Sequence, residues 1–305
     1  MRASSILRQM LKEAGIIVAP GAFNAFLAKL VEQVGFKAVY VSGAGTSITM
    51  LGLPDLGFMT LNEIIWNTRN IARAVNIPVI ADANTGYGNA VTLTRTVEEF
   101  IKAGAAAIHI EDQEIPKRCG HLKGKILIPI EEMVGKIKAA IDTRDKLDPD
   151  FVIIARTDAR GAVKGGVDEA LNSAEAYIKA VADMIFIEGP KSIDELKLFA
   201  ERIKAPLMAN MVEGGITPLL STKELEELGY KLVIFPNSIL RLIHKAAIEL
   251  LEELKQTGST KAFLSKMMLF PSQQDVVGLK EYVKLEEKYL PKEEVRIKYT
   301  ESLGF

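Results

Sequence analysis

Only one cysteine occurs in 305 residues, so the chain cannot close a disulfide on itself. Such sparing use suits a reducing compartment. Charge of one sign is missing too, because 38 Lys and Arg stand against 39 Asp and Glu. No field therefore points toward nucleic acid or an anionic membrane. No segment approaches the roughly 20 uninterrupted apolar residues that span a bilayer. Met1 to Lys12 has no signal-peptide layout. Three histidines scattered at His109, His121 and His244 do not make a zinc site. These absences predict a soluble cytoplasmic protein with neither a nucleic-acid nor a membrane partner.

What is present is a β-then-α rhythm. Apolar residues make up 48% of the chain, enough for a sizeable core. Eight short β-rich runs recur: Ile16–Ala19, Ala38–Ser42, Pro78–Asp82, Ala107–Glu111, Phe151–Thr157, Met184–Glu188, Pro206–Asn210 and Lys231–Phe235. Most are continuously apolar, as parallel strands covered on both faces should be. Helical patterns lie between them, over Leu61–Val75, Val91–Ala103, Glu131–Arg144, Val167–Ala180 and Ile193–Ile203, with Thr60, Asp168 and Ser192 as candidate caps. Gly35 and Gly104 stand where glycine ends helices. Eight such units predict an α/β fold of the (β/α)8 TIM-barrel type, with a doubly wound open sheet as the rival. No low-complexity linker interrupts residues 1–305, so one domain is expected, with residues 239–305 as a C-terminal helical extension. Within it, Ile239–Leu254 reads as an amphipathic helix.

The predicted strand ends carry the functional signal. In order they read Ser42-Gly43-Ala44, Asp82-Ala83-Asn84, Glu111-Asp112, Arg156-Thr157-Asp158, Glu188, Asn210 and Asn237, so seven of the eight are polar. Polar groups at the ends of buried strands cost free energy unless they are paired or used. Asp82, Glu111 and Asp55 form a hard-oxygen cluster suited to Mg²⁺. Asp82 and Asn84, two apart on an extended strand, would face one side. Arg156 is suited to clamp a substrate carboxylate; its bland alternative is an ion pair with Glu188. The glycines of Ser42-Gly43-Ala44-Gly45 would let backbone N–H groups approach an anion. Thr85-Gly86-Tyr87-Gly88 lacks the spacing of a dinucleotide fingerprint.

The cysteine stands in Pro116-Lys117-Arg118-Cys119-Gly120-His121, a few residues after a strand that ends in acids. Two preceding cations and a following histidine predict a lowered thiol pKa and a reactive thiolate. His121 would assist Cys119 or a developing anion, whereas structural roles are expected for His109 and His244.

Lys117-Arg118-Cys119-Gly120-His121 is similar to the Lys-[Lys/Arg]-Cys-Gly-His signature of the isocitrate lyase and phosphoenolpyruvate mutase superfamily. Further pieces match in order: Tyr40-Val41-Ser42-Gly43, Gly52-Leu53-Pro54-Asp55, Asp82-Ala83-Asn84-Thr85-Gly86-Tyr87-Gly88, Ile110-Glu111-Asp112-Gln113, Ala155-Arg156-Thr157-Asp158-Ala159 and Ala209-Asn210-Met211. The chain's length resembles that of the 2-methylisocitrate lyase branch. The resemblance implies a barrel whose eighth helix swaps between subunits, commonly in a homotetramer. It implies Mg²⁺ (or Mn²⁺) held at Asp82, with Asp55, Asn84 and Glu111 reached largely through water. Tyr40, Ser42, Gly43, Ala44, Arg156, Glu188 and Asn210 would hold a di- or tricarboxylate substrate. Cys119, with Lys117, His121 and Arg156 in the catalytic group, would be the acid/base that protonates a pyruvate enolate on a closing loop. The implied activity is retro-aldol cleavage of 2-methylisocitrate to pyruvate and succinate, as in propionate breakdown by the methylcitrate cycle. Two departures bear on substrate. Asn84 stands where the family usually has Asp. Asn210-Met211-Val212-Glu213-Gly214-Gly215 looks more like dimethylmalate lyases and oxaloacetate decarboxylases. Those two activities are the alternatives; a phosphonomutase or a non-enzymatic ligand-binding member ranks below them.

Overall fold

A computed structural model describes residues 1–295, which fall into two compact units, Met1–Arg241 and the chain from Leu242 on. In the first, eight parallel strands close into a barrel in strict sequence order. They are β1 Ile17–Ala22, β2 Val39–Val41, β3 Val79–Asp82, β4 Ala107–Glu111, β5 Val152–Thr157, β6 Met184–Ile187, β7 Leu207–Asn210 and β8 Leu232–Phe235. Pairing of Ile17 with Leu232 and of Ala19 with Ile234 joins β1 to β8 and excludes the open sheet. Helices α1 Ala3–Lys12, α2 Ala25–Val34, α3 Gly43–Thr46, α4 Leu61–Ala74, α5 Ala90–Ala103, α6 Ile130–Leu147, α7 Val167–Lys179, α8 Ile193–Arg202 and α9 Thr222–Glu227 belong to this unit.

Local chemistry explains the boundaries. Thr60 and Glu63 cap each other reciprocally at the start of α4, and the Ser192 side chain accepts from Glu195 N–H at the start of α8; such caps stabilise by ~1 kcal/mol each. Gly35 and Gly104 end α2 and α5 at positive φ, as expected. Asp168 does not cap α7: the cap is Gly166, and Asp168 lies in the first turn. There its charge still complements the helix dipole.

Two cores result. One lies between the strands and the surrounding helices. The other fills the barrel, with Tyr40, Ile80, Val152, Ile154, Met184, Phe186, Met208, Leu232 and Ile234 pointing inward and Leu7 of α1 packed with them. Side chains alternate along a strand with a period of two. Continuing each inward series toward the C-terminal end gives Ser42 after Tyr40, Asp82 after Ile80, Arg156 after Ile154, Glu188 after Phe186 and Asn210 after Met208. One register therefore fills the barrel below and furnishes its mouth above.

In the second unit, α10 Ser238–Thr257, which begins within the first, is followed by α11 Phe270–Val276 and α12 Leu279–Tyr289. The predicted helix over Ile239–Leu254 is thus present and longer. No helix among the described residues is long and apolar enough to cross a membrane.

Candidate active site

Tyr40, Ser42, Ala44, Asp55, Asp82, Cys119, His121, Arg156, Glu188 and Asn210 line one pocket at the barrel mouth. Lys117, Gly43, Asn84 and Glu111 flank it rather than line it. The pocket is small, about 40 Å³, room for about three or four waters at ~10–15 Å³ each.

Arg156 is the best-held group. Its Nε donates to Asp158 Oδ2 at 2.9 Å and Nη2 to Asp158 Oδ1 at 3.1 Å. Nη1 lies 3.3 Å from Glu111 Oε2, and Nη2 lies 3.5 Å from Glu188 Oε2. The Glu188 pair suggested by the bland reading is therefore real, but it is the weakest of three. Its guanidinium carbon also stands 5.1 Å from the Phe186 ring centroid, a cation–π distance. Burial alone would lower its pKa, yet the surrounding carboxylates outweigh that and raise it.

The carboxylates around it differ. Burial pushes Asp82 up, but nearby His109, Lys117 and Arg156 and the Asn84 N–H together hold it below the ordinary range. For Glu111 the same cations fall short. Burial lifts its pKa to about 8, against the pull of Arg156 and Lys117. Neither of its oxygens has a hydrogen-bond donor; the Arg156 approach misses hydrogen-bond geometry. Asn84 sits at φ 53°, a conformation asparagine tolerates. Its amide donates to Tyr87 OH at 3.0 Å, while its own oxygen has no partner.

Among the described residues, no three His, Cys, Asp or Glu side chains converge closely enough to hold a metal directly. The donor set is nonetheless all hard oxygen. Asp82, ionised, with the two unpartnered groups of Glu111 and Asn84 beside it, suits a cation that keeps most of its waters. Asp55 is the exception, because its Oδ1 is bound to Lys117 Nζ at 2.6 Å. Gly43 is required here: a Cβ on it would stand 2.4 Å from Asp82 Oδ2.

Cys119 corrects the expectation from its neighbours. Its pKa is raised, first by burial and then by Asp55, against the His121 N–H and Lys117. Lys117 was expected to favour the thiolate, but its charge is spent on Asp55. The thiol therefore stays protonated, the form that donates a proton. Its loop is folded onto the mouth. Cys119 N donates to Asp55 O at 3.1 Å. A Cβ on Gly120 would stand 2.4 Å from Glu188 Cγ and 2.6 Å from Arg156 Nη2.

His121 accepts from Ile216 N–H through Nδ1 at 3.2 Å. The ring proton is thereby assigned to Nε2, which has no hydrogen-bond partner and stands 3.6 Å from Glu188 Oε1. Asn210 Nδ2 donates to Glu188 at 3.1 and 3.3 Å, leaving its oxygen free. Ser42 Oγ donates to Asn237 Oδ1 at 3.1 Å. The stretch Ser42-Gly43-Ala44-Gly45, whose N–H groups were expected to approach an anion, opens a one-turn helix, Gly43–Thr46, capped by Ser42.

His109, for which a structural role was expected, is fully buried beside the pocket residue Tyr40. His109 faces the barrel interior, with Tyr40 OH 2.7 Å from its Nε2 and Phe186 edge-on to its ring. Burial lowers its pKa to about 4, so it is neutral at physiological pH. The signal was the alternation Ala107, His109, Glu111 on β4. Tyr40, raised by burial and then by Asp82, keeps its proton.

Residues 7–255 match the family described as phosphoenolpyruvate phosphomutase. The chain is 46% identical over 289 residues to a 2,3-dimethylmalate lyase of Eubacterium barkeri, covering 95% of this chain and 99% of that protein. It is 45% identical over 283 residues to a 2-methylisocitrate lyase of Aeropyrum pernix, covering 93% and 90%. A crystal structure of 2,3-dimethylmalate lyase superposes with a TM-score of 0.89 at 38% identity, covering 94% of this chain and 95% of that one. With the cysteine loop, the closed barrel and these matches agreeing, the chain belongs to the phosphoenolpyruvate mutase/isocitrate lyase superfamily, as one of its carbon–carbon lyases.

Proposed function

We propose that the protein cleaves 2-methylisocitrate between C2 and C3, giving pyruvate and succinate, in propionate breakdown in the cytoplasm. The observation that carries the tricarboxylate is His121. Its Nε2–H is buried without an acceptor, and such a donor costs ~1–3 kcal/mol until it is satisfied. With Arg156, whose Nη1 makes no hydrogen bond to its neighbour Glu111, it offers donors for a third carboxylate.

The chemistry follows from electron balance. The C2 hydroxyl passes its proton to a carboxylate lining the pocket, C2 becomes the ketone of pyruvate, and the C2–C3 bonding pair moves onto C3. C3 is α to a carboxylate of the other fragment, so the enolate belongs to nascent succinate. The proton expected to go to a pyruvate enolate therefore goes to succinate. Cys119, protonated at the loop tip, donates it to C3. Tyr40 keeps its hydrogen and serves as a donor to substrate oxygens. Arg156, fixed by Asp158, orients a carboxylate by its fork. Asp82 would hold Mg²⁺, with Glu111 and Asn84 reached through water. The ion would supply Lewis-acid polarisation of substrate oxygens. Gly120, resting on Glu188 and Arg156, excludes water from the carbanion.

A second reading, 2,3-dimethylmalate cleaved to pyruvate and propionate, is favoured by the apolar lining from Val212, Ile234 and Pro236. An alkyl group suits that wall better than a carboxylate does. The test is Mg²⁺-dependent pyruvate release, coupled to lactate dehydrogenase, on 2-methylisocitrate, isocitrate, 2,3-dimethylmalate and oxaloacetate. At least tenfold higher kcat/KM on 2-methylisocitrate is expected. Preference for dimethylmalate moves the assignment to the second reading, and activity on oxaloacetate alone contradicts both.

The same proposal includes a homotetramer with swapped helices. On α10, Leu242, Leu251 and Leu254 are exposed along a helix that another copy would cover. Sedimentation at micromolar concentration should give about four times 33.4 kDa; a monomer contradicts it.

A further inference from the structure

We propose that Lys125 is a positioning residue that anchors the Cys119 loop to the carboxylate already holding Arg156. This role rests on the loop's function in the lyase reading above, and no sequence feature singled the residue out. Lys125 lies beyond the cysteine signature, in Gly124-Lys125-Ile126, yet it is only 1% exposed and among the largest fully buried side chains. A lysine is almost never fully buried unless it is paired.

Its partners explain the burial. Nζ donates to the carbonyl of Gly120, the residue after Cys119. The same ammonium stands 3.5 Å from Asp158 Oδ1. Asp158 is fully buried and bidentate on Arg156. One carboxylate thus serves the substrate clamp and the loop anchor together. Asp158 is itself fixed from behind: its N–H donates to Asp112 Oδ1 at 2.9 Å, and Tyr177 OH donates to Asp112 Oδ2 at 2.8 Å. The backbone around Lys125 adds a second hold. Lys125 pairs in a parallel bridge with Ala162, and its carbonyl accepts from Val163 N–H at 2.9 Å. Gln113 holds the other side of the loop, bonding both N–H and C=O of Arg118 at 2.9 Å.

The other ties at the tip, Cys119 N–H to Asp55 and Ile216 N–H to His121, hold the residues on either side of Gly120. Lys123 and Leu122 are exposed, and among the described residues the Lys125 ammonium is the donor to the Gly120 carbonyl. Removing the ammonium leaves that buried carbonyl without a donor and Asp158 with one cation fewer. The tip should then lift more often. Cys119, rather than the barrel, should register it.

The single cysteine makes the test clean, because alkylation by iodoacetamide reports on Cys119 alone. Lys125→Met should alkylate at least tenfold faster than wild type at pH 8. Its kcat should fall at least thirtyfold with KM changed less than threefold. Lys125→Arg, which restores a buried cation, should recover to within fivefold on both readouts. Far-UV circular dichroism and a cooperative melt identify a variant that has folded. Should Lys125→Met fail to fold, Lys125→Gln, which retains a donor but no charge, is expected to fall between wild type and Lys125→Met on the alkylation rate. Alkylation and kcat within twofold of wild type in a folded Lys125→Met or Lys125→Gln would overturn the role. Alkylation needs no substrate. A protein inactive on every substrate but showing the faster alkylation would sink the lyase substrate assignment and leave the anchor standing.

Discussion

Arg156 and Glu111 are neighbours across β5 and β4, and they stand in opposite condition. Arg156 arrives at the pocket with a bidentate carboxylate, two further acids and an aromatic face around it. Glu111 is equally buried but has no hydrogen-bond donor on either oxygen, and burial lifts its pKa to about 8. The Arg156 side is complete before substrate binds; the Glu111 side, with Asn84, is built for something that brings charge and water. A fixed clamp gives orientation. An underfilled acid site stores an electrostatic penalty that a cation relieves.

The sharpest way to break this comparison is to remove the group that acts between the two sides. Cys119→Ala should lower kcat for pyruvate release by ~10²–10⁴-fold, the usual reach of general acid catalysis. Near-normal turnover would refute the mechanism. Because the thiol is raised rather than lowered, the active SH form persists through neutral pH. The alkaline limb of kcat should therefore lie above the ordinary thiol value of ~8.5; a limb near pH 7 would show a thiolate. Arg156→Lys attacks the complete side. A lysine cannot replace the fork to Asp158, and kcat/KM should drop by about a hundredfold or more. A loss under fivefold would mean that charge alone suffices.

The underfilled side gives smaller effects with the opposite sign. Glu111→Gln should stabilise the metal-free protein. A carboxyl whose folded pKa is raised binds its proton more tightly folded than unfolded, so its contribution is retained below the unfolded value of ~4.3 and lost as pH climbs to about 8. The glutamine gain should thus grow across that window, from about 4.3 to about 8, to on the order of 5 kcal/mol, then level off. Urea melts at pH 5 and pH 9 measure it, and equal gains at both would contradict the assignment. Asn84→Asp, restoring the usual family acid, should tighten Mg²⁺ by about tenfold in calorimetry, ~1.4 kcal/mol. Unchanged affinity would place Asn84 outside the cation's reach.

Much of this was legible in the chain, for a simple reason. Parallel strands write themselves as apolar runs, and a polar residue that ends such a run has to sit at the mouth. Asp82, Glu111, Arg156, Glu188 and Asn210 were found that way. What escaped depended on contacts between segments distant in sequence. Lys117 reads as an activator of Cys119 until Asp55, 62 residues earlier, is seen to neutralise it. The structural place expected for His109 fits its position inside the barrel, but its partner Tyr40, 69 residues earlier, is visible only once the strands are assembled. Lys125 gave no sign at all. A lysine between a glycine and an isoleucine in a loop reads as a solvated charge, and only the folded loop shows that Asp158 has claimed it.

One measurement tests the account most directly: cleavage of 2-methylisocitrate by the wild-type protein with Mg²⁺ in D₂O, with both products analysed by mass spectrometry and proton NMR. A single solvent deuteron at the former C3 in succinate, and none in the pyruvate methyl at early times, is the predicted result. Deuterium delivered to the pyruvate methyl instead would mean that a pyruvate enolate, not the departing acid, is the species Cys119 meets.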